Sequence, residues 1–322
     1  MARSDEQLVS VVLPVYCEGA SIADTLREID GVIAGAGVGR EFVFVDDGST
    51  DDTWDQVSKL KSSFSGIRGI RLSRNFGKEA AIRAGLEAAS GDAVVVMDAD
   101  GQHPPSLLKQ MIDLWQEGNV EIVEAVKTHR GRETVLNKMS AGLFYILWTR
   151  LSGFELKGAS DYKLLDRRAV DAFLQMDERN VFFRGMAAWI GFRRIQVPFE
   201  VADRKGGRSG WSPFHLVRLA LTALTGFSAV PLQIVTLAGI IFLLFAIVFA
   251  VQTLYVYLIG HAVTGFATVI LLLLIIGSFL MISLGIIGEY LARIYEEVKR
   301  RPRYIIAERI GPQEISQRSG SE

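Results

Sequence analysis

Apolar residues fall into two regimes along this chain, short runs broken by polar turns through the first half and two long unbroken runs near the end. Leu8 to Leu13, Glu41 to Val45, Ile67 to Leu72, Val94 to Met97 and Val120 to Val126 are brief and rich in Val, Ile and Phe, the composition of buried strands. Helical patterns lie between them. Ser21 stands three residues before Asp24 and Thr50 just before Asp51 and Asp52, both N-cap patterns, and a helix is expected over Glu79 to Ala89. The pair Pro104-Pro105 opens a further helix after the fourth strand. Strands alternating with helices predict an α/β domain, and right-handed crossovers bring the ends of parallel strands to one edge of the sheet.

The long runs are of another kind. No Asp, Glu, Lys or Arg occurs between Arg218 and Glu289, and Val230 to Ile259 and Phe266 to Ile287 each exceed the ~20 apolar residues that span a bilayer. Two transmembrane helices are expected; the competing reading is an apolar hairpin buried in a soluble core. The connection Gly260 to Gly265 lacks Lys and Arg, whereas Arg204, Lys205, Arg208 and Arg218 precede the spans and Arg293, Lys299, Arg300, Arg301 and Arg303 follow them. That asymmetry places both ends in the cytoplasm and the protein, as a multi-pass chain, in the plasma (inner) membrane.

The expected organisation is a cytoplasmic catalytic domain over 1–210, a juxtamembrane interface helix over 211–228, two spans over 229–289 and a cytoplasmic tail over 290–322 that ends in disorder. Leu136, Met139, Leu143, Phe144, Leu147 and Leu151 recur at helical spacing over 135–151. With Trp148 and Arg150 near its end, that helix either lies in the membrane interface or packs on the core. Gly277, Ser278, Ser283 and Gly285 are small residues suited to helix packing, which leaves a homo-oligomer open. The first residues are polar and lead into a strand, so no signal peptide is expected.

Composition adds exclusions. The 322 residues carry 35 Lys and Arg against 36 Asp and Glu, and no nucleic-acid partner is expected of so balanced a chain. The single cysteine, Cys17, forbids an internal disulfide, and the four histidines lack ligand spacing for structural zinc.

Chemistry concentrates where strands end. The first strand runs into Pro14, Tyr16 and Glu18, where a ring and a carboxylate could grip a base and a ribose. The second empties into Asp46-Asp47-Gly48-Ser49-Thr50-Asp51-Asp52; Asp51 and Asp52 suit helix capping, and Asp46 suits a ligand. The third is followed by Ser73 to Lys78, a loop able to set a backbone amide and a cation beside a nucleotide. The fourth releases Asp98, Asp100 and Gln102, alternate oxygen donors suited to Mg²⁺ or Mn²⁺ and hence to a diphosphate. Taken alone, Asp98-Ala99-Asp100 is equally a solvated turn. Gly35, Gly37 and Gly39 imitate a dinucleotide fingerprint, but they follow a helix and precede a strand, the wrong order for one.

Pro14 to Glu18, Val45 to Asp51, Arg74 to Lys78 and Met97 to Pro105 together resemble the inverting family 2 glycosyltransferases of GT-A fold. Within these the chain resembles the dolichol-phosphate mannose synthase branch, and most closely bacterial polyprenyl-phosphate glucosyltransferases. The resemblance implies a Rossmann-like GT-A domain with amphipathic interface helices and two C-terminal transmembrane helices. It also implies nucleotide-sugar contacts from Pro14, Tyr16, Glu18, Asp46, Ser49, Gly77, Lys78 and Asp98, and a metal held by Asp98, Asp100 and Gln102. Asp100, with Gln102, is the expected direct ligand, and Asp98 the one nearer the nucleotide.

Gly158 to Arg167 matches the family's acceptor-side motif, which implies a catalytic Asp161 beside the catalytic Asp100. Asp161 is read as orienting the acceptor or a cationic partner, since a lipid phosphate is largely a dianion at neutral pH and hardly needs a base. The other reading is a turn aspartate capping the next segment. Lys127, Arg130, Arg132, Arg204, Arg208 and Ser209 are expected on the acceptor phosphate, although Gly210 replaces the lysine usual in the last of these loops. Cations ahead of a span also serve anionic headgroups.

The expected reaction is metal-dependent transfer of glucose from UDP-glucose to undecaprenyl phosphate, giving a β-linked polyprenyl-phosphate sugar for cell-envelope glycans. The alternatives are the same transfer with GDP-mannose or a UDP-amino sugar, or a non-catalytic membrane-anchored nucleotide-sugar-binding scaffold. A processive polysaccharide synthase is disfavoured by the missing Gln-x-x-Arg-Trp motif.

Overall fold

The computed structural model describes residues 7–99, 101, 103–127, 159–176, 178, 182–199, 230–259 and 265–311. The chain divides into two compact units, Met1–Ile146 with Phe154–Gly210 and Arg301–Glu322, and Leu147–Gly153 with Trp211–Arg300.

The first unit opens with β1 (Leu8–Val15), α1 (Ile22–Ala34), β2 (Gly39–Asp46), α2 (Thr53–Ser63), β3 (Ile67–Leu72), α3 (Lys78–Ala88) and β4 (Ala93–Val96). It continues through α4 (Pro105–Gln116), β5 (Ile122–Lys127), β6 (Ala159–Asp166), α5 (Arg167–Gln175), α6 (Phe183–Trp189) and β7 (Arg194–Phe199). The first five strands and the helices between them fall where the hydrophobic runs predict. The helix-capping pattern is corrected at two places: Ser21 precedes α1 but its hydroxyl donates to the Glu18 carbonyl at 3.1 Å instead of capping the helix, and α2 starts at Thr53, whose amide donates to Asp51 rather than to Thr50, at 3.1 Å.

β1 lies between β2 and β4, parallel to both, and β3 runs parallel to β2. The C-terminal ends of these four strands therefore share one edge, as right-handed crossovers between parallel strands predict. β1 is buried on both faces because helices cover both. Val9, Val11 and Leu13 pack with the Ile22, Leu26 and Ile29 face of α1 and with Leu108 and Met111 of α4. On the other face α3 approaches so closely that a side chain at Gly85 would collide with Val12 and Val45.

Three strands, β6, β7 and a last one near the end of the described chain, were not legible as such. β6 runs antiparallel between β4 and β5, so Asp161 sits inside a strand and the turn reading of it is wrong. The final stretch of the chain is not simply a tail. After a second apolar helix it supplies β8 (Ile306–Ile310), antiparallel to β3, and the sheet order is β7-β5-β6-β4-β1-β2-β3-β8.

The second unit contains α7 (Val230–Leu258) and α8 (Phe266–Val298). Both are long and apolar enough to cross a membrane. The 29 residues of α7 span about 43 Å at the helical rise, against ~30 Å of hydrocarbon. Phe242 and Phe279 meet at 4.9 Å between ring centroids. Of the small residues noted above, Ser283 is buried, whereas a side chain at Gly277 or Gly285 would meet nothing within 4 Å. The helices expected over 135–151 and 211–228 lie outside the described residues.

Candidate active site

The loops leaving β1, β2, β3 and β4 converge on one cleft, whose walls include Pro14, Tyr16, Glu18, Asp47, Asn75, Gly77, Lys78 and Asp98. Tyr16 stands half exposed at its wall, and Gly77 carries a positive φ of 99° just before α3, whose first residue is Lys78. Six residues expected to touch a nucleotide sugar are thus brought together. Two others act differently.

Asp46 is 0% exposed and turned into its own loop, where its Oδ1 accepts the Ser49 amide at 2.9 Å. Strand alternation explains this: consecutive residues at a strand end point oppositely, and Asp47 is the one on the cleft wall. Ser49 is buried and its Oγ accepts the amide of Cys17 at 2.9 Å, holding Cys17 at the positive φ of 54° that turns the chain from Tyr16 to Glu18. Asp47 in turn accepts the Phe76 and Gly77 amides at 2.7 and 2.9 Å. Burial pushes its carboxyl up, and those two amides pull it back.

Gly48 lets the second and third loops meet. A Cβ there would lie 2.5 Å from the backbone carbon of Arg74, at a φ of 69° that side chains tolerate poorly. Gly48→Ala should lower stability by about 3 kcal/mol, read as a lower thermal midpoint together with weaker nucleotide binding. Wild-type values for both would show the loops to be adaptable.

The antiparallel register places Asp161. Val96, the last residue of β4, pairs with Lys163, so two residues past the end of β4 and two back on β6 Asp98 and Asp161 come level. Lys78 bridges them, its Nζ 2.6 Å from Asp98 Oδ1 and 2.7 Å from Asp161 Oδ2. Arg184 of α6 closes the group, donating from Nε to Asp161 Oδ1 at 2.6 Å and from Nη2 to Oδ2 at 2.8 Å. Burial alone would raise the Asp161 carboxyl, but the Arg184 fork and Lys78 hold it well below the usual carboxylate range. Burial would likewise lower Lys78; Asp98 and Asp161 raise it above an ordinary lysine instead.

The loop bearing Asp98 is braced from below. Its amide donates to Nδ1 of buried His103 at 3.1 Å, and His103 stacks on Tyr162 with ring centroids 4.9 Å apart. Thr25 Oγ1 donates to the carbonyl of Ala99 at 3.1 Å. Asp98 itself is partly exposed, its side chain at 29%. An oxygen donor open on a diphosphate-sized cleft fits a hard divalent cation, and so does the wholly oxygen donor set of Asp98, Asp100 and Gln102. Asp100 and Gln102 lie outside the described residues, as do Arg130, Arg132, Arg204, Arg208 and Ser209. Lys127 closes β5 opposite Phe199 of β7.

Asp47 and Asn75 lie in the strand-end motifs named above without being among the expected contacts, whereas Glu79 and Arg184 carry no sequence signal that marks them as site residues. Glu79 Oε2 accepts the Phe183 amide at 2.9 Å, at the start of the helix bearing Arg184. Burial pushes its carboxyl up to about 7, Asp161 adds to that, and the Phe183 amide, Arg184 and Lys78 pull the other way. Between pH 4.5 and 7 the folded chain thus holds a proton the unfolded chain releases, and stability falls as pH rises through that window. Thermal unfolding at pH 5 and pH 8 should show a wild-type decline worth up to about 3 kcal/mol that Glu79→Gln removes. An equal decline in the variant would assign the slope elsewhere.

The model of glycosyl transferase family 2 matches residues 10–175 of the chain. An uncharacterized glycosyltransferase of Synechocystis is 36% identical over 93% of this chain and 95% of its own. A prophage bactoprenol glucosyl transferase homolog of Escherichia coli is 34% identical over 92% and 98%, and a bactoprenol glucosyl transferase of Shigella phage SfII 33% over 92% and 97%. Among solved structures, glucosyl-3-phosphoglycerate synthase of Mycobacterium tuberculosis aligns over 68% of this chain and 79% of that one, at 22% identity and a TM-score of 0.46.

Proposed function

The chain belongs to glycosyl transferase family 2 and is a glycosyltransferase, and from that premise we propose that it moves glucose from UDP-glucose to the phosphate of a polyprenyl lipid at the cytoplasmic face of the plasma membrane. The names of its phage and prophage relatives supply the sugar and the lipid. Its own geometry supplies the chemistry. The observation that carries the reading is the Asp98–Lys78–Asp161–Arg184 group, set by the β4–β6 register at the edge of a cleft built from strand-end loops.

In this reading the nucleoside lies between Tyr16, Glu18 and Asp47, and the diphosphate points toward Lys78 and Asp98. A phosphate oxygen of the lipid attacks the anomeric carbon from the side opposite the diphosphate. The new C–O bond forms as the bond to UDP breaks, UDP departs with the electron pair, and the configuration inverts to β. The attacking group is already largely a dianion at neutral pH, so no proton need be removed.

Asp161, ionised and engaged by two cations, is unsuited to act as a base. It holds Arg184 and Lys78 where two phosphates must approach each other, and a fixed guanidinium fork suits phosphate oxygens. Asp98, Asp100 and Gln102 would hold Mg²⁺ or Mn²⁺, which when bound offsets the charge that develops on the leaving diphosphate. A pure nucleotide-sugar-binding scaffold has no use for this assembly. Helices α7 and α8, flanked by cations on both sides, would anchor the chain beside its lipid substrate.

Transfer to polyprenyl phosphate from a panel of UDP- and GDP-sugars tests the assignment. UDP-glucose should give the highest kcat/KM by at least about tenfold, a discrimination of ~1.4 kcal/mol. Preference for GDP-mannose or a UDP-amino sugar would replace the donor and keep the reaction class.

A further inference from the structure

Asp46, Arg71 and Glu308 form one row across three strands: Asp46 pairs with Arg71 between β2 and β3, and Arg71 with Glu308 between β3 and β8. Residues in register on adjacent strands share a face, and here their side chains meet. Arg71 Nη1 lies 2.9 Å from Glu308 Oε1, and Arg71 Nε 3.5 Å from Asp46 Oδ2. The other Glu308 oxygen accepts Trp54 Nε1 at 2.9 Å, and the guanidinium sits 6.0 Å from the centre of the Trp54 ring. Arg71 is thus held from one side by β8 and presented to β2.

What it is presented to matters. The Asp46 carboxylate is wholly buried; Oδ1 accepts the Ser49 amide, and Oδ2 makes no hydrogen bond among the described residues, so Arg71 is its counter-charge. A buried carboxylate without a cation is strongly disfavoured. From Asp46 the contacts run through Ser49 to Cys17 and so to the loop carrying Tyr16 and Glu18, while Asp47 next door fixes Phe76 and Gly77.

We propose that Glu308 is a positioning residue for the nucleotide: through Arg71 it holds Asp46, and through Asp46 the two loops that form the nucleoside end of the cleft. The strand that follows the second apolar helix then completes the donor site from a point 237 residues away in sequence. This rests on reading the cleft as the donor site. The Glu308 side chain is 53% exposed, so the pair adds little to stability by itself. Its effect is expected in donor affinity.

The test is UDP binding by the full-length protein in detergent with Mg²⁺, alongside steady-state kinetics and thermal unfolding. Glu308→Gln keeps an acceptor for Trp54 and removes the charge; it should raise the Kd for UDP and the donor KM about 3- to 10-fold, with kcat within about twofold and the thermal midpoint nearly unmoved. Arg71→Met should weaken UDP about 30- to 100-fold, and adding Glu308→Gln to it should cost nothing more, because Glu308 acts through Arg71. Unchanged UDP affinity in Glu308→Gln would overturn the inference alone, as would losses that add in the double variant or merely track a lowered thermal midpoint. Failure of the wild-type chain to bind UDP would overturn the donor-site reading and this inference with it.

Discussion

Asp161→Asn should lower kcat for lipid glucosylation by about 10²- to 10³-fold while leaving the donor KM within a few-fold, since positioned charges at a reacting centre are typically worth that much. The loss arises because asparagine offers one acceptor oxygen and no charge to two cations that Asp161 now holds, Arg184 at 2.6 and 2.8 Å and Lys78 at 2.7 Å. Released, they repel one another and lose their aim at the phosphates. The pH dependence separates this role from general base catalysis. With its carboxyl held well below the usual range, Asp161 stays ionised throughout neutral pH, so the ratio of wild-type to variant rates should be flat between about pH 6 and 8. A ratio that climbs with pH through that window, and still does so in a Glu79→Gln background that removes the carboxyl titrating at about 7 beside it, would show a titrating base. Near-wild-type turnover in the variant would remove Asp161 from the mechanism altogether.

Asp100→Ala should abolish metal-dependent transfer, a loss of at least about 10³-fold, because neutralising the leaving diphosphate supplies several kcal/mol. Two readouts do not depend on turnover. Mn²⁺ binding in the presence of UDP, followed by electron paramagnetic resonance, should disappear, and the protein should still fractionate with membranes. Asp98→Ala should be milder toward the metal but should also free Lys78, since Asp98 lies 2.6 Å from that ammonium and forms one arm of the bridge to Asp161. Substantial activity or retained Mn²⁺ binding in Asp100→Ala would mean that the metal lies elsewhere.

The strands that frame the cleft were legible because they are buried on both faces. Their runs are mostly apolar, with Ser10 the one polar residue within β1, and stop where the chain reaches the ligand edge, so β1, β2 and β4 announced both their places and their loops. The two apolar helices were legible for the simpler reason that no charge interrupts them for 29 residues in the first. β6 escaped because its buried face is not apolar: Lys163 is 2% exposed and paired with Glu124 on β5, and a strand spelled Ala-Ser-Asp-Tyr-Lys-Leu-Leu-Asp shows no strand period. β8 escaped for the opposite reason, being a five-residue edge strand with charges outward whose partner lies far away in sequence.

The site followed the same division. Residues carried by strand ends could be named, but which of two adjacent aspartates faces the cleft is fixed by strand alternation and register. Asp46 therefore exchanged places with Asp47. Arg184, Glu79 and the row through Glu308 depend on contacts between segments far apart in sequence, and no spacing rule reaches them.

The central claim is that these loops hold a nucleotide sugar and a metal against a lipid phosphate. Full-length protein in detergent or nanodiscs, given radiolabelled UDP-glucose and undecaprenyl phosphate, tests it directly. With Mg²⁺ or Mn²⁺ it should yield a chloroform-soluble glucolipid whose anomeric linkage is β by nuclear magnetic resonance, and EDTA should remove the product. Absence of any metal-dependent lipid product, with UDP-glucose or any other nucleotide sugar, would contradict the account.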